Sequence, residues 1–181
     1  MGFVKAHAYN CQAQAALYFM QGDHENAKFY TEKALSLSVK INDLQNFVTC
    51  YHWYYPLLLH GLETGTETSF VQLVLRKVGT RCLGHLIPLV LVGSPETKQR
   101  IIPVLAEIGG SEAANVLYTL RSDPSRLVRT IAAEAWERLV RPEDAPKTSD
   151  TRRSLRLHLL GPVRIFVGDQ DITGVKWRSH R

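Results

Sequence analysis

Apolar residues recur at steps of four and three over the first forty positions of the chain. Val4, Ala8, Cys11, Ala15 and Tyr18 fall on one helical face, and Ala27, Tyr30, Ala34, Leu37 and Ile41 repeat the stripe after Gly22-Asp23. This predicts a helical hairpin over residues 3–41, with Asp23 as N-cap of its second helix. Small residues at Ala15, Ala27 and Ala34 let the helices approach closely, and Tyr18 and Tyr30 fill the wider gaps. Such a hairpin cannot bury both its faces, so neighbours are expected on each side. Asn42 with Gln45 reads as a capping box opening a helix through about Leu62. A turn at "ETGT" (63–66) follows, then a helix from near Glu67 through "FVQLVLRKV". Gly79 and Gly84 blur the period over 79–93.

Capping signals sharpen from Ser94 onward. Ser94-Pro95 reads as an N-cap with proline at the first helical position, and Asp123-Pro124 as a repeat of the same device. Between them Gly109-Gly110-Ser111 ends one helix and caps the next. Residues 141–154, "RPEDAPKTSDTRRS", carry two prolines and no large apolar side chain, which predicts an exposed linker.

The period then changes from helical to two. Leu155, Leu157 and Leu159 alternate with Arg156 and His158, and Val163, Ile165 and Val167 follow Gly161-Pro162 before Gly168-Asp169 turns the chain again. That punctuation predicts a β-hairpin. Because a two-stranded hairpin is marginal alone in water, other structure is expected to cover it.

Charge separates the two regions further. The chain carries a formal net charge of +5, and residues 147–181 hold 8 Lys/Arg against 3 Asp/Glu while the preceding part is balanced. A basic segment on a neutral body suits nucleic acid or another acidic surface. Cys11, Cys50 and Cys82 are odd in number and lack C-x-x-C spacing, which fits a reducing cytoplasm better than a disulfide scaffold or zinc site. The apolar run Leu86–Val92 is too short to span a bilayer and contains Pro88, so no membrane partner is expected.

Chemistry is sparse. The seven histidines show no H-x-x-x-H spacing, and His52 and His60, eight apart, could share a helix face but have no carboxylate at matched spacing. The serines lack a G-x-S-x-G elbow, and no G-x-x-x-x-G-K-[ST] phosphate loop occurs. Arg81 beside Cys82 could lower the thiol pKa, but no base or resolving cysteine accompanies it. The aromatic cluster "YHWYYP" (51–56) has Tyr51, Tyr54, Tyr55 and Leu58 at helical spacing, which points to packing rather than ligand stacking. No enzymatic activity and no cofactor are expected.

Three resemblances order these observations. Gly22, Ala27 and Ala34, with Tyr18 four residues before the glycine, resemble the tetratricopeptide repeat (TPR), although Cys11 stands where tryptophan is usual and no proline follows Leu37. "TKQRIIPVLAEIGG" aligns with "VRTIAAEAWERLV" at an offset of 31, pairing Lys98 with Arg129, Leu105 with Trp136 and Ile108 with Leu139. With the core "DPSRLVRTIAAEA" at 123–135, this is similar to HEAT-like repeats. Finally, "LRLHLLGPVRIFVGDQDITGVKWRSHR" resembles the first 27 residues or so of the winged-helix DNA-binding domain of the Streptomyces antibiotic regulatory protein (SARP) type. Leu159, Leu160, Gly161 and Pro162 match its first-strand ending, and Trp177 and Arg178 fit the lead into its first helix, while Asp169 departs in having its glycine before it.

These resemblances imply a mostly α protein: TPR-like repeats over 1–93, a HEAT-like repeat over 94–140, a linker over 141–154, and the start of a truncated winged-helix domain over 155–181. The expected role is a fragment of a cytoplasmic bacterial transcriptional regulator. Its α-solenoid would hold a protein or small-molecule effector, and the complete winged-helix domain would bind DNA. Arg152, Arg153, Arg164, Lys176 and Arg178 are the expected phosphate contacts. The alternative is a stand-alone TPR/HEAT protein-interaction scaffold without DNA binding.

Overall fold

Asp23 ends one helix turn and starts the next helix: its side chain accepts the Asn26 N–H at 3.1 Å, as an N-cap must. Around it, α1 (Gly2–Gln21) and α2 (His24–Lys40) form the predicted hairpin, with Ala8, Cys11, Ala15, Ala27 and Ala34 buried. Tyr18 and Tyr30 stack at 5.4 Å between ring centroids. The computed structural model describes residues 2–140, 155–158, 164–167 and 170–171, and these are mostly helical.

Beyond the hairpin come α3 (Gln45–Thr49), α4 (Tyr51–Thr64), α5 (Thr68–Val78), a 3-10 turn at Gly79–Cys82, α6 (Leu83–Val92), α7 (Pro95–Ile108), α8 (Gly110–Leu120) and α9 (Arg126–Val140). Each helix packs chiefly on those near it in sequence: α1 and α2 on α4, α4 on α5 and α7, α6 on α7 and α8, and α7 and α8 on α9. The core runs through this series, with Leu35, Leu57, Leu58, Leu62, Leu75, Leu86, Ile101, Leu105 and Leu117 fully buried. Several polar groups inside it are paired, although the buried Thr31 hydroxyl has no partner among the described residues. Gln12 donates to Ser38 Oγ at 3.0 Å, Asn46 Nδ2 donates to Gln12 Oε1, and the Ser38 hydroxyl donates to the Ala34 carbonyl.

Two expected caps are different in the structure. Asn42 does not open a helix: it sits at φ +50°, and α3 begins at Gln45 without any side-chain cap. The helix expected through Leu62 is also interrupted at Cys50, where α3 ends and α4 begins. Asn tolerates the left-handed region that ends a hairpin, and this turn use wins over the capping pattern. Likewise Asp123-Pro124 does not place proline at a first helical position, because residues 124–125 form a bend and α9 starts at Arg126. Asp123 instead accepts the Ser125 N–H at 2.9 Å and an ammonium from α7. Ser94 caps α7 as expected, accepting the Thr97 N–H with Pro95 in the first turn. Gly109 alone does the work expected of Gly109-Gly110-Ser111, at φ +70° between α7 and α8.

One glycine has a steric reason. A Cβ on Gly61 would lie 3.0 Å from Leu35 Cδ1 and from Val71 Cγ2, so side chains of α2 and α5 pack directly on the α4 backbone there.

By its contacts the chain divides into two units, Met1–Pro142 and Glu143–Arg181. Within the second, β1 (Leu155–His158), β2 (Arg164–Val167) and β3 (Gln170–Asp171) form an antiparallel sheet in the order β1-β2-β3. Leu155 pairs with Val167 and Leu157 with Ile165. The linker expected over 141–154 and the turns expected at Gly161-Pro162 and Gly168-Asp169 lie outside the described residues.

Candidate interaction surfaces

Small and ring-constrained residues open a cleft between α7 and α9. Pro103 interrupts the hydrogen-bond ladder of α7, and the small residues Ala106 of α7 and Ala135 of α9 both line the cleft. The cleft encloses about 260 Å³ among Ile102, Ile131 and Leu139, with Glu107, Glu134 and Arg138 at its polar edge. Arg76 of α5 approaches Glu107 at 2.9 Å, as an ion pair rather than an aligned hydrogen bond.

The helices flanking this cleft are locked by a nearly buried ion pair. Lys98 of α7 donates to Asp123 Oδ2 at 2.6 Å. Arg129 of α9 donates to the Asp123 and Pro124 carbonyls at 2.8 and 2.9 Å. Burial pushes the Asp123 carboxyl upward, but the Lys98 ammonium, the Ser125 N–H and Arg129 outweigh it and hold the group below its ordinary value. Lys98 of α7 and Arg129 of α9, which the offset of 31 aligns, thus converge on the loop between α8 and α9. Nothing in the hydrophobic period announced Asp123 as their shared acceptor.

A second cleft, of about 270 Å³, lies between α1 and α4 and is lined by Ala13, Ala16, Leu17, Met20, Trp53 and Tyr54. Of the "YHWYYP" cluster, Tyr51 is buried and Tyr54 packs on Phe47, as the helical spacing predicts. Tyr55 stacks on His85 of α6 at 4.0 Å, and the Tyr51 hydroxyl shares a 3.0 Å hydrogen bond with His85 Nδ1. Burial pushes the Tyr51 phenol well above its usual range. Trp53 is exposed, at 54%, as is its neighbour His52.

The remaining candidates for chemistry do not converge. His52 is exposed beside Trp53, whereas His60 is half-buried edge-on to Phe19. Burial lowers the His60 pKa, and its Nε2 has no hydrogen-bond partner among the described residues. No cluster of His, Cys, Asp or Glu among the described residues has the geometry of a metal site. Arg81 does not activate Cys82. It donates to the Val48 carbonyl at 3.1 Å, while burial pushes the Cys82 thiol up to about 11. Among the described residues no helix is long and apolar enough to cross a membrane.

Of the expected phosphate contacts, Arg164 lies on β2 in register with His158. Arg152, Arg153, Lys176 and Arg178 lie outside the described residues. Comparison of the chain with family models, with curated proteins and with solved structures finds no match.

Proposed function

We propose that residues 1–140 are a helical-repeat interaction region coupled to a DNA-binding output module beginning at Leu155, and that the chain serves transcriptional regulation rather than catalysis. The observation that carries the first half is the order of packing, in which every helix packs on others no more than three places away along the chain, from α1 on α2 to α8 on α9, as stacked repeats do. Such stacking leaves clefts between alternate helices, and the α7–α9 cleft is the partner site on this reading. At about 260 Å³ it is smaller than ordinary small-molecule pockets of roughly 300–1,000 Å³. An apolar side chain from a protein segment, flanked by groups that meet Glu134 and Arg138, suits it better.

The second half rests on the SARP-type resemblance over residues 155–181, on the basic character of that segment, and on the agreement of β1-β2-β3 with a small N-terminal sheet. The helix that reads the major groove in that family lies outside the matched residues. The chain of 181 residues is therefore expected to bind duplex DNA weakly, without sequence preference, and only at low salt.

Fluorescence anisotropy over a salt series with a random duplex tests this. Each phosphate contact steepens the log–log salt slope by roughly 0.9. Replacing Arg152, Arg153, Arg164, Lys176 and Arg178 with alanine should flatten the slope and abolish binding. Sequence-selective binding at physiological salt would contradict the placement of the reading helix outside this match. No binding at any salt would remove the DNA half and leave an interaction scaffold.

A further inference from the structure

The helix α1 carries two apolar surfaces, of which the described residues cover one. Ala8, Cys11, Ala15 and Ala16 face α2 and α4 and are buried. Phe3, Ala6, Asn10, Ala13, Leu17 and Met20 are all exposed, and they follow one another at steps of three, four, three, four and three. That is the spacing of a coiled-coil seam, and no ionisable side chain interrupts it. Phe3 is 89% exposed and Met20 73%. A solvated helix face ordinarily carries charge, and this one carries none.

The two ends of the seam differ in shape. At one end Phe3 projects; at the other, Met20 and Leu17 border the 270 Å³ cleft that Trp53 and Tyr54 complete. Knob and hole are about 26 Å apart along the same helix, so one copy cannot satisfy itself. A twofold axis solves this, because in an isologous contact each partner's knob meets the other's hole.

We propose that α1 is an antiparallel homodimerisation helix, the exposed Phe3 of each copy seating in the cleft beside Met20, Leu17 and Trp53 of the other. The antiparallel arrangement puts Phe3 opposite Met20, Ala6 opposite Leu17 and Asn10 opposite Ala13. Every small residue then faces a larger one. A parallel arrangement would set Ala6 on Ala6 and Ala13 on Ala13, leaving thin layers beside the thick Phe3 and Leu17 layers, which close packing disfavours. Both faces are neutral, so association strips water from no charge. Asn10 lies near the axis in both copies, where a polar seam residue fixes register.

The size of the contact sets its strength. A seam about 30 Å long with two aromatic anchors of ~150–250 Å² each buries on the order of 1,000 Å² in total. That is the lower edge of specific association, and dissociation in the micromolar range follows.

Sedimentation velocity of the full chain across that range should show a monomer–dimer equilibrium. Phe3→Ala removes an aromatic anchor twice per dimer; at ~30-fold for each, the combined loss is about 1,000-fold, which leaves only monomer. Because Phe3 is exposed, the circular dichroism of that variant should match wild type, and so should its melting temperature at concentrations below the dissociation constant. Trp53→Ala is expected to weaken the dimer in the same direction. Under oxidising conditions a mixture of Ala6→Cys and Leu17→Cys chains should form a mixed disulfide dimer, with 6 linked to 17. A chain that stays monomeric throughout, or a dimer indifferent to Phe3→Ala, overturns the proposal. So does Leu17→Cys linked to itself, since antiparallel seams hold those positions about 16 Å apart.

Discussion

Removing the Asp123 carboxylate should test whether the repeat junction is held by a polar latch. Lys98 and Asp123 meet at 2.6 Å with side chains only 13% and 6% exposed. Exposed ion pairs contribute ~0–1 kcal/mol, whereas stripping one partner from a buried pair costs ~3–5 kcal/mol. This pair is close to the buried limit, and Asp123 also accepts the Ser125 N–H that shapes the α8–α9 bend. Asp123→Ala therefore leaves an ammonium and a backbone donor unpaired, a loss of about 3 kcal/mol. Lys98→Met keeps the aliphatic stem and leaves the carboxylate its Ser125 contact, so about 2 kcal/mol is expected. In a unit spanning Met1–Pro142, 3 kcal/mol corresponds to a melting shift of roughly 10 °C.

Urea unfolding of both single variants and the double variant closes a thermodynamic cycle at neutral pH. A coupling energy of ~1–2 kcal/mol is expected for groups in direct contact. Its pH dependence is also determined. A carboxyl held below its ordinary 3.8 in the folded state stabilises the protein at every pH above that value, and the contribution fades as pH falls toward the folded-state value. Wild type should thus lose its advantage over Asp123→Ala below about pH 4. A coupling indistinguishable from zero, or an Asp123→Ala cost under ~1 kcal/mol, would refute the latch and return the junction to apolar packing alone.

Other perturbations follow from single contacts. Arg100 of α7 donates to the Leu62 and Glu63 carbonyls at the end of α4, at 2.8 and 2.9 Å; Arg100→Met should cost about 2 kcal/mol in urea unfolding. Cys82, buried with its thiol at about 11, should resist alkylation at pH 8 until the chain unfolds, whereas the half-buried Cys50 reacts in the native state, as mass mapping would show. His60 is kept neutral by burial against Phe19, below its ordinary 6.5, so its contribution is present above that pH and is lost as pH falls. His60→Leu should accordingly raise stability more at pH 5 than at pH 8 in parallel melts.

Much of the helical body is legible where one residue makes one local decision. Asp23 and Ser94 each cap a helix through a side-chain oxygen reaching an N–H three residues on, and that requirement is met within four positions. The middles of the α1 and α2 stripes were readable for a similar reason, since a repeating core face is a property of one helix. Val4, however, is exposed, Leu37 and Ile41 are half-buried, and Thr31, Leu35 and Ser38 complete the buried face of α2. The caps that failed are those with a competing use for the same side chain. Asn42 has the chemistry of a cap, yet the chain needs a left-handed turn there and α3 starts later. Asp123 precedes proline in the manner of a cap, yet Lys98, 25 residues away, binds its carboxylate. A long-range partner leaves no local trace in the sequence.

The clefts were hidden for a related reason, because each is made of residues from helices that touch only after folding. Ala106 and Ala135 are unremarkable alanines until α7 lies on α9. The outer seam of α1 is different, because all six of its residues lie on one helix. The core stripe through Ala8, Cys11 and Ala15 absorbs the strongest apolar period, and Phe3, Leu17 and Met20 then look like scatter. Their own spacing becomes visible only when the residues already buried are removed and the remainder is read again. What is left is a second apolar stripe on a helix whose single basic side chain, Lys5, is turned toward Asp43 at 3.3 Å. A helix apolar beyond its core-facing stripe is ordinarily buried on more than one side. In α1 the hairpin and α4 cover the first stripe only, and the second has no cover among the described residues, which is the surface the proposed dimer would use.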